Sequence, residues 1–199
     1  MQNNPPLTIG IVLAVFFAAI AIAYGVASTS PEAEEHDGTV AADGQEMPPA
    51  PEPGQPDPAV GETPPEVTGA DFDGDAMTLP ADIDGRQAVT FNAHWCPFCQ
   101  EEVPELTAWA DDHPDLAEQV VVVSTLHDPS GDEYPPEEWI ASTGWDASVF
   151  ADDDGDTAAR AWGLTGTPYW VLLEDDGTVA ERVSGRIPFD DLTAFLSGS

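Results

Sequence analysis

From Val67 to Ser199 the chain predicts an α/β domain, a central mixed sheet flanked by helices. Three observations carry that expectation. Val120 to Thr125 reads Val-Val-Val-Val-Ser-Thr, a continuous β-branched run of the kind that forms a central strand covered on both faces. Apolar strand-like runs alternate along the chain with amphipathic helical stretches, the pattern of strands joined by helices across a sheet. The only two cysteines, Cys96 and Cys99, fall where one such run passes into a helix.

Each element has its own signal. Phe72 to Leu79 is expected to form a small hairpin around Asp73-Gly74, and Ala88 to Ala93 a short buried strand leading into Trp95-Cys96-Pro97-Phe98-Cys99. The helix that starts there carries Val103, Leu106 and Trp109 at helical spacing, with a kink expected at Pro104. Pro135-Pro136-Glu137-Glu138 puts prolines and acids where a helix begins. Val149 to Ala151 reads as a brief strand and Asp156 to Trp162 as a short helix. Tyr169 to Glu174 and Val179 to Val183 make a hairpin across Asp175-Asp176-Gly177, and Pro188 to Leu196 a closing helix.

Two further zones precede this domain. Residues 1–27 read as a membrane anchor, because Leu7 to Ala27 is an unbroken, largely apolar run of about 30 Å as a helix at ~1.5 Å per residue. A cleavable signal peptide competes with that reading, since Gly25-Val26-Ala27 before Ser28 has small residues at the right offsets, although signal cores are normally ~7 to 15 residues. No Lys or Arg precedes Arg86, so flanking charge sets no orientation. A domain whose two cysteines lie close enough to pair, on a single N-terminal span, is most simply held on the extracytoplasmic side of the cell membrane, where disulfides can form, or secreted after cleavage. Residues 28–66 are rich in Pro, Glu, Asp, Gly and Ala with almost no large apolar residue, and are expected to be a disordered acidic tether.

Formal charge is −34, with no lysine and only Arg86, Arg160, Arg182 and Arg186 to offset the acids. That composition excludes nucleic acid as a partner, because phosphate binding needs clustered cations. It also fits life in concentrated salt, where the Debye length shrinks to ~3 Å at 1 M and self-repulsion is screened.

The two cysteines point to thiol–disulfide exchange. A thiolate is the attacking species, and a helix N-terminus lowers a thiol's pKa through its unpaired N–H groups and dipole. Cys96 at the helix start is the expected nucleophile, and Cys99, one turn inside, is in reach to resolve a mixed disulfide. Pro97 removes one N–H from that turn, and the acidic domain opposes negative charge, so both are expected to raise the Cys96 pKa relative to a basic homologue. A zinc site would need ligands from four scattered histidines, and a purely structural disulfide across so short a loop would add only ~2 kcal/mol. Asp152-Asp153-Asp154-Gly155-Asp156 lacks ligands at the ends of an EF-hand loop, and no metal is expected there.

The order of elements, the segment Phe91-Asn92-Ala93-His94-Trp95-Cys96-Pro97-Phe98-Cys99, Glu102-Val103-Pro104, Trp162-Gly163-Leu164-Thr165-Gly166-Thr167-Pro168 and Asp175-Asp176-Gly177 together resemble the thioredoxin fold. Within it they resemble the membrane-anchored, extracytoplasmic branch that includes TlpA, ResA and the DsbE or CcmG proteins. The resemblance implies a Cys96–Cys99 redox-active disulfide with no cofactor. It implies that Pro168 is the family's cis-proline facing the cysteines, with Thr167 presenting its backbone to an extended substrate. Trp95, Pro97 and Phe98 would line the substrate surface beside them, although packing is an equal alternative for Trp95. Glu102 matches the acidic residue that cytochrome-c-maturation members carry three places after the second cysteine, where a raised pKa would let it accept the Cys99 proton; an ordinary surface position is the alternative. Thr90 stands where thioredoxins place a buried aspartate. His94 is expected to be exposed and without contacts. The partners implied are exported cysteine-containing proteins, apocytochrome c among them, and a membrane redox partner that recycles the cysteines. Glu102 and the anchored architecture lean towards a reductant, whereas Pro97-Phe98 between the cysteines resembles secreted DsbE-like oxidases that form disulfides, and the direction is left open. A non-catalytic metal-handling relative of the same fold is a further alternative, against which stand the tight cysteine spacing and the lack of a histidine after His127.

Overall fold

The computed structural model describes residues 39–52 and 54–198. The expected anchor at residues 7–27 and the first part of the tether, residues 28–38, lie outside the described residues. Among the described residues no helix is long and apolar enough to cross a membrane.

One sheet of eight strands organises the domain. They are β1 (Ala41–Asp43), β2 (Glu66–Ala70), β3 (Ala76–Leu79), β4 (Gln87–Asn92), β5 (Val120–Ser124), β6 (Val149–Ala151), β7 (Tyr169–Leu173) and β8 (Val179–Ser184). Their spatial order is β1-β2-β6-β5-β4-β7-β8, with β3 paired to β2. The helices are α1 (Pro97–Asp112), α2 (Pro114–Ala117), α3 (Pro136–Thr143), α4 (Thr157–Ala161) and α5 (Phe189–Ser197). β4, β5 and β6 run parallel, whereas β7 is antiparallel to β4 and β8 to β7. Parallel neighbours need crossover connections, which α1 with α2, and then α3, supply.

Strand side chains alternate in direction, and that parity sorts the core into two layers. Val89, Phe91, Val121, Val123, Tyr169 and Val171 pack on one face with Trp162. Ala88, Val120, Val122, Trp170 and Leu172 pack on the other, against Val103, Leu106 and Trp109 of α1 and Leu192 of α5. β4, β5 and β7 are buried along their whole length, which is the physical reason that Val120 onward reads as an unbroken apolar run. At about 1.5–3 kcal/mol per buried large apolar side chain, these central strands dominate the stability of the domain.

The main correction concerns the tether. Its described part, residues 39–52 and 54–65, is a strap packed on the domain, with Val40, Met47 and Ala59 buried in the first core layer. β1 pairs antiparallel with β2. Met47 N–H donates to the Ala161 carbonyl at 2.8 Å, Ala50 N–H to Gly163 at 3.0 Å, and Gly61 N–H to Val179 at 2.8 Å. Arg182 of β8 is buried and donates Nε to Asp57 Oδ2 at 2.7 Å and Nη1 to the Pro48 carbonyl at 2.8 Å. Gly163, at φ 70°, leaves room for this crossing, since a Cβ there would lie 2.4 Å from the Pro48 oxygen. Composition misleads here for two reasons. Prolines lose little further backbone freedom on ordering, and a buried arginine on β8 demands a carboxylate that only the strap supplies.

Smaller differences are local. The hairpin is β2 with β3, so its first strand precedes Phe72, and the Asp71 carboxylate accepts the N–H groups of Asp73 and Asp75, each at 2.9 Å, to shape the turn. α1 continues through Pro104 to Asp112, and the short α2 was not foreseen. Asp152 is buried and spends its carboxylate on Thr125 Oγ1 at 2.7 Å and on the N–H groups of Ala158 and Ala159 at 2.9 and 3.1 Å, which ties α4 to the end of β5.

Candidate active site

β4 and β7 are hydrogen-bonded neighbours with Phe91 opposite Tyr169, so the loop that leaves β4 and the loop that enters β7 emerge side by side. The first carries Cys96 and the second Thr167-Pro168. Cys96 caps α1 in an extended conformation, φ −80° and ψ 118°, and its Sγ donates to the Thr167 carbonyl at 3.4 Å. The Thr167-Pro168 bond is cis, as the resemblance implies. Both thiols are free and buried.

Their environments differ in sign. Burial works against charge on Cys96, yet the Thr167 side chain and the N–H groups of Cys99 and Phe98 at the head of α1 outweigh it and hold the thiol below the ordinary cysteine value. Pro97 occupies the first helical position, so the N–H it lacks is not among those donors. Cys99 has no exposed surface, and burial pushes its thiol far up. Cys96 is thus the thiol that ionises first and Cys99 the one that stays protonated.

Glu102 lies three residues beyond Cys99, on the same face of α1, and is buried rather than on the surface. Its pKa is raised to about 7 by that burial, against the opposing hydrogen bonds of Trp170 and the Ile187 N–H and the nearby charge of Arg186. Trp170 Nε1 is 3.3 Å from each carboxylate oxygen, and Ile187 N–H donates to Oε1 at 3.4 Å. Arg186 pairs with Glu101 at 3.4 Å and with Glu105, the residues flanking Glu102 along the helix. Trp170 is the register partner of Thr90, so the position that lacks an aspartate sits opposite an indole donating to an acid on α1. Sequence reasoning missed Trp170, Ile187 and Arg186. Trp170 was accessible by parity, two residues after Pro168 on the face toward α1, whereas the backbone N–H of Ile187 carries no sequence signal.

Around the cysteines, Trp95 and Phe98 are the exposed aromatics, 38% and 62% accessible, and Pro97 is exposed between them. Pro168 is buried and Thr167 half-buried. The structure therefore brings together every residue that the sequence singled out for the site. His94 is the exception to its own expectation: it has no exposed surface and both ring nitrogens are hydrogen-bonded to the segment after β5. Sequence spacing does not reveal that contact, because the β4–β5 pairing is what places the segment beside the motif.

The redoxin family matches residues 59–196. A thiol:disulfide interchange protein DsbE homolog of Paracoccus denitrificans (strain Pd 1222) is 28% identical over 110 residues, 55% of this chain and 56% of that protein. The chain thus spans 56% of the length of this curated relative. MTB DsbF, solved in mixed oxidized and reduced forms, superposes with a TM-score of 0.54 at 25% identity over 66% of this chain and 92% of its own. StoA from Bacillus subtilis does so with a TM-score of 0.55 at 21% identity over 69% and 98%. With the paired thiols at the head of α1, the cis Pro168 beside them and this match over most of the domain, the chain belongs to the redoxin family, as a thioredoxin-fold protein that shares its fold with StoA and is similar in sequence to a DsbE-type thiol:disulfide interchange protein.

Proposed function

We propose that the chain is an extracytoplasmic thiol–disulfide oxidoreductase that exchanges a Cys96–Cys99 disulfide with cysteines of exported proteins. One observation carries the reading: a free thiol at the head of α1, 3.4 Å from the Thr167 carbonyl, beside a second thiol with no exposed surface. In the reducing direction the Cys96 thiolate attacks a substrate disulfide, forming a mixed disulfide and expelling one substrate thiolate. Cys99 then gives its proton to Glu102, attacks Cys96 Sγ and expels the second substrate thiolate. Two electrons pass from the protein dithiol to the substrate, and the same steps in reverse oxidise a substrate dithiol. Trp95, Pro97, Phe98, Thr167 and Pro168 form the surface over which an extended substrate lies.

The buried Glu102 and the DsbE-type relative support a role in cytochrome c maturation, with apocytochrome c cysteines as substrate and a membrane redox partner regenerating the thiols. Residues 7–27 would hold the domain at the cell membrane.

Trapping tests both levels of the reading. Cys96→Ser is expected to abolish exchange, and Cys99→Ser to accumulate mixed disulfides because the resolving sulfur is gone. Apocytochrome c among the trapped partners would support the maturation role, and a broad set of exported proteins would point to a general oxidase. Turnover retained by Cys96→Ser would remove the exchange mechanism.

A further inference from the structure

His94 has no exposed surface, yet both of its ring nitrogens are engaged by residues far along the chain. Nδ1 lies 2.6 Å from the Asp132 carbonyl oxygen, and Nε2 accepts the Asp128 N–H at 3.1 Å. A donor at Nδ1 with an acceptor at Nε2 describes one species, the neutral imidazole protonated on Nδ1. The ring therefore bridges two backbone groups of the loop that follows β5. Tyr134 packs edge-on to it, with centroids 5.7 Å apart.

The same loop grips Trp95. Its indole N–H donates to the Leu126 carbonyl at 2.6 Å. Gly131 is pressed so close that a Cβ would stand 2.8 Å from Trp95 Cβ and 3.2 Å from His94 Cε1. Leu126 and Glu133, at φ 53° and 58°, take the left-handed conformation that residues with side chains seldom adopt. Three separate contacts thus hold residues 126–134 against the two residues that precede Cys96.

We propose that His94 is a positioning residue: its neutral ring bolts the loop 126–134 to the strand end before the nucleophile and so fixes Trp95 as a wall of the substrate surface. The inference rests on the exchange reading above. It assigns His94 a part in holding extended substrates and none in activating the Cys96 sulfur. What favours positioning over simple packing is that both bonds reach one loop, and that the same loop holds Trp95 and presses Gly131 against both residues.

The test uses the reduced full chain in single turnover with two disulfides. One is the small dithiobis(nitrobenzoate), and the other an unstructured peptide whose single cysteine carries the same thionitrobenzoate group. In each, the Cys96 thiolate forms a mixed disulfide, thionitrobenzoate leaves with the electron pair of the broken S–S bond, and Cys99 releases what remains. His94→Ala should raise the peptide concentration for half-maximal rate about tenfold, as expected for one or two lost hydrogen bonds, and leave the rate with the small disulfide unchanged. Gly131→Ala, which keeps His94 and pushes the loop from its other side, should act in the same direction. In both variants the Trp95 indole N–H resonance should shift and exchange faster with solvent. Should His94→Ala not fold, Gly131→Ala decides alone. Variants that slow both disulfides alike, or neither, would overturn the positioning role while leaving exchange intact. A wild-type chain that reacts with neither disulfide would overturn the exchange reading and the positioning role with it.

Discussion

Trp170 directs its indole N–H at both carboxylate oxygens of Glu102, 3.3 Å from each. The contact joins β7, just beyond Pro168, to the face of α1 that carries Cys99. Burial raises the pKa of this acid to about 7, and the indole N–H opposes that rise without cancelling it.

Glu102 should therefore set a pH dependence in both rate and stability. Below an ordinary pKa of 4.5 the acid is protonated in folded and unfolded chains alike; between 4.5 and about 7 only the folded chain keeps the proton. Stability should then fall as pH rises through that window and level off above it, by about 3 kcal/mol at most. Glu102→Gln should remove the fall and be more stable than wild type at pH 8, read by urea denaturation across pH. It should also flatten the rise of exchange rate around neutral pH, because the acceptor for the Cys99 proton is gone. Parallel stability curves for the two proteins would return Glu102 to a structural role.

Alkylation should separate the two thiols. Cys96, held below the ordinary cysteine value, should react with iodoacetamide at a pH where a free cysteine is mostly protonated, and Cys99 only after unfolding. Mass spectrometry of the peptides after a timed pulse at neutral pH reads this directly. Equal labelling of both cysteines in the folded chain would contradict the asymmetry.

Cutting the strap should be costly. Arg182→Leu removes a buried charge but leaves Asp57 and the Pro48 carbonyl without their donor, whereas Asp57→Ala strands the buried guanidinium. Asp57→Ala should destabilise the domain by about 3–5 kcal/mol and Arg182→Leu by less, since the residual carboxylate is nearer water. A chain starting at Val67 should be less stable than either single variant, because it also loses Val40, Met47 and Ala59 from the core. Denaturation midpoints rank the three, and a chain from Val67 as stable as wild type would reduce the strap to a surface appendage.

Salt should stabilise the domain through screening. With a formal charge of −34 and few cations, self-repulsion in dilute buffer should lower Tm, and molar KCl should raise it. A neutral osmolyte at matched water activity should recover little of that rise. A Tm indifferent to salt, or restored equally by the osmolyte, would count against salt adaptation.

The sequence by itself determined the central sheet and the chemistry of its cysteines. Val120 to Val123 had to be buried on both faces because nothing polar interrupts it, and Cys96 and Cys99 had to begin a helix because a strand pattern ends just before them. Tertiary structure decided three other matters. A proline-rich acidic segment became part of the fold because β8 presents Arg182, a buried cation that pairs with Asp57 and donates to the Pro48 carbonyl. Glu102 became a buried acid because Trp170 and the Ile187 N–H converge on it from two other elements. His94 became a neutral bridge because β5 runs beside β4 and delivers the carbonyl of Asp132 and the N–H of Asp128 to its two nitrogens. Local pattern fixes which residues are strand, helix or core, since it follows from backbone period and apolar area. Protonation and hydrogen-bond roles follow from groups distant in sequence, and those are placed only when the sheet closes.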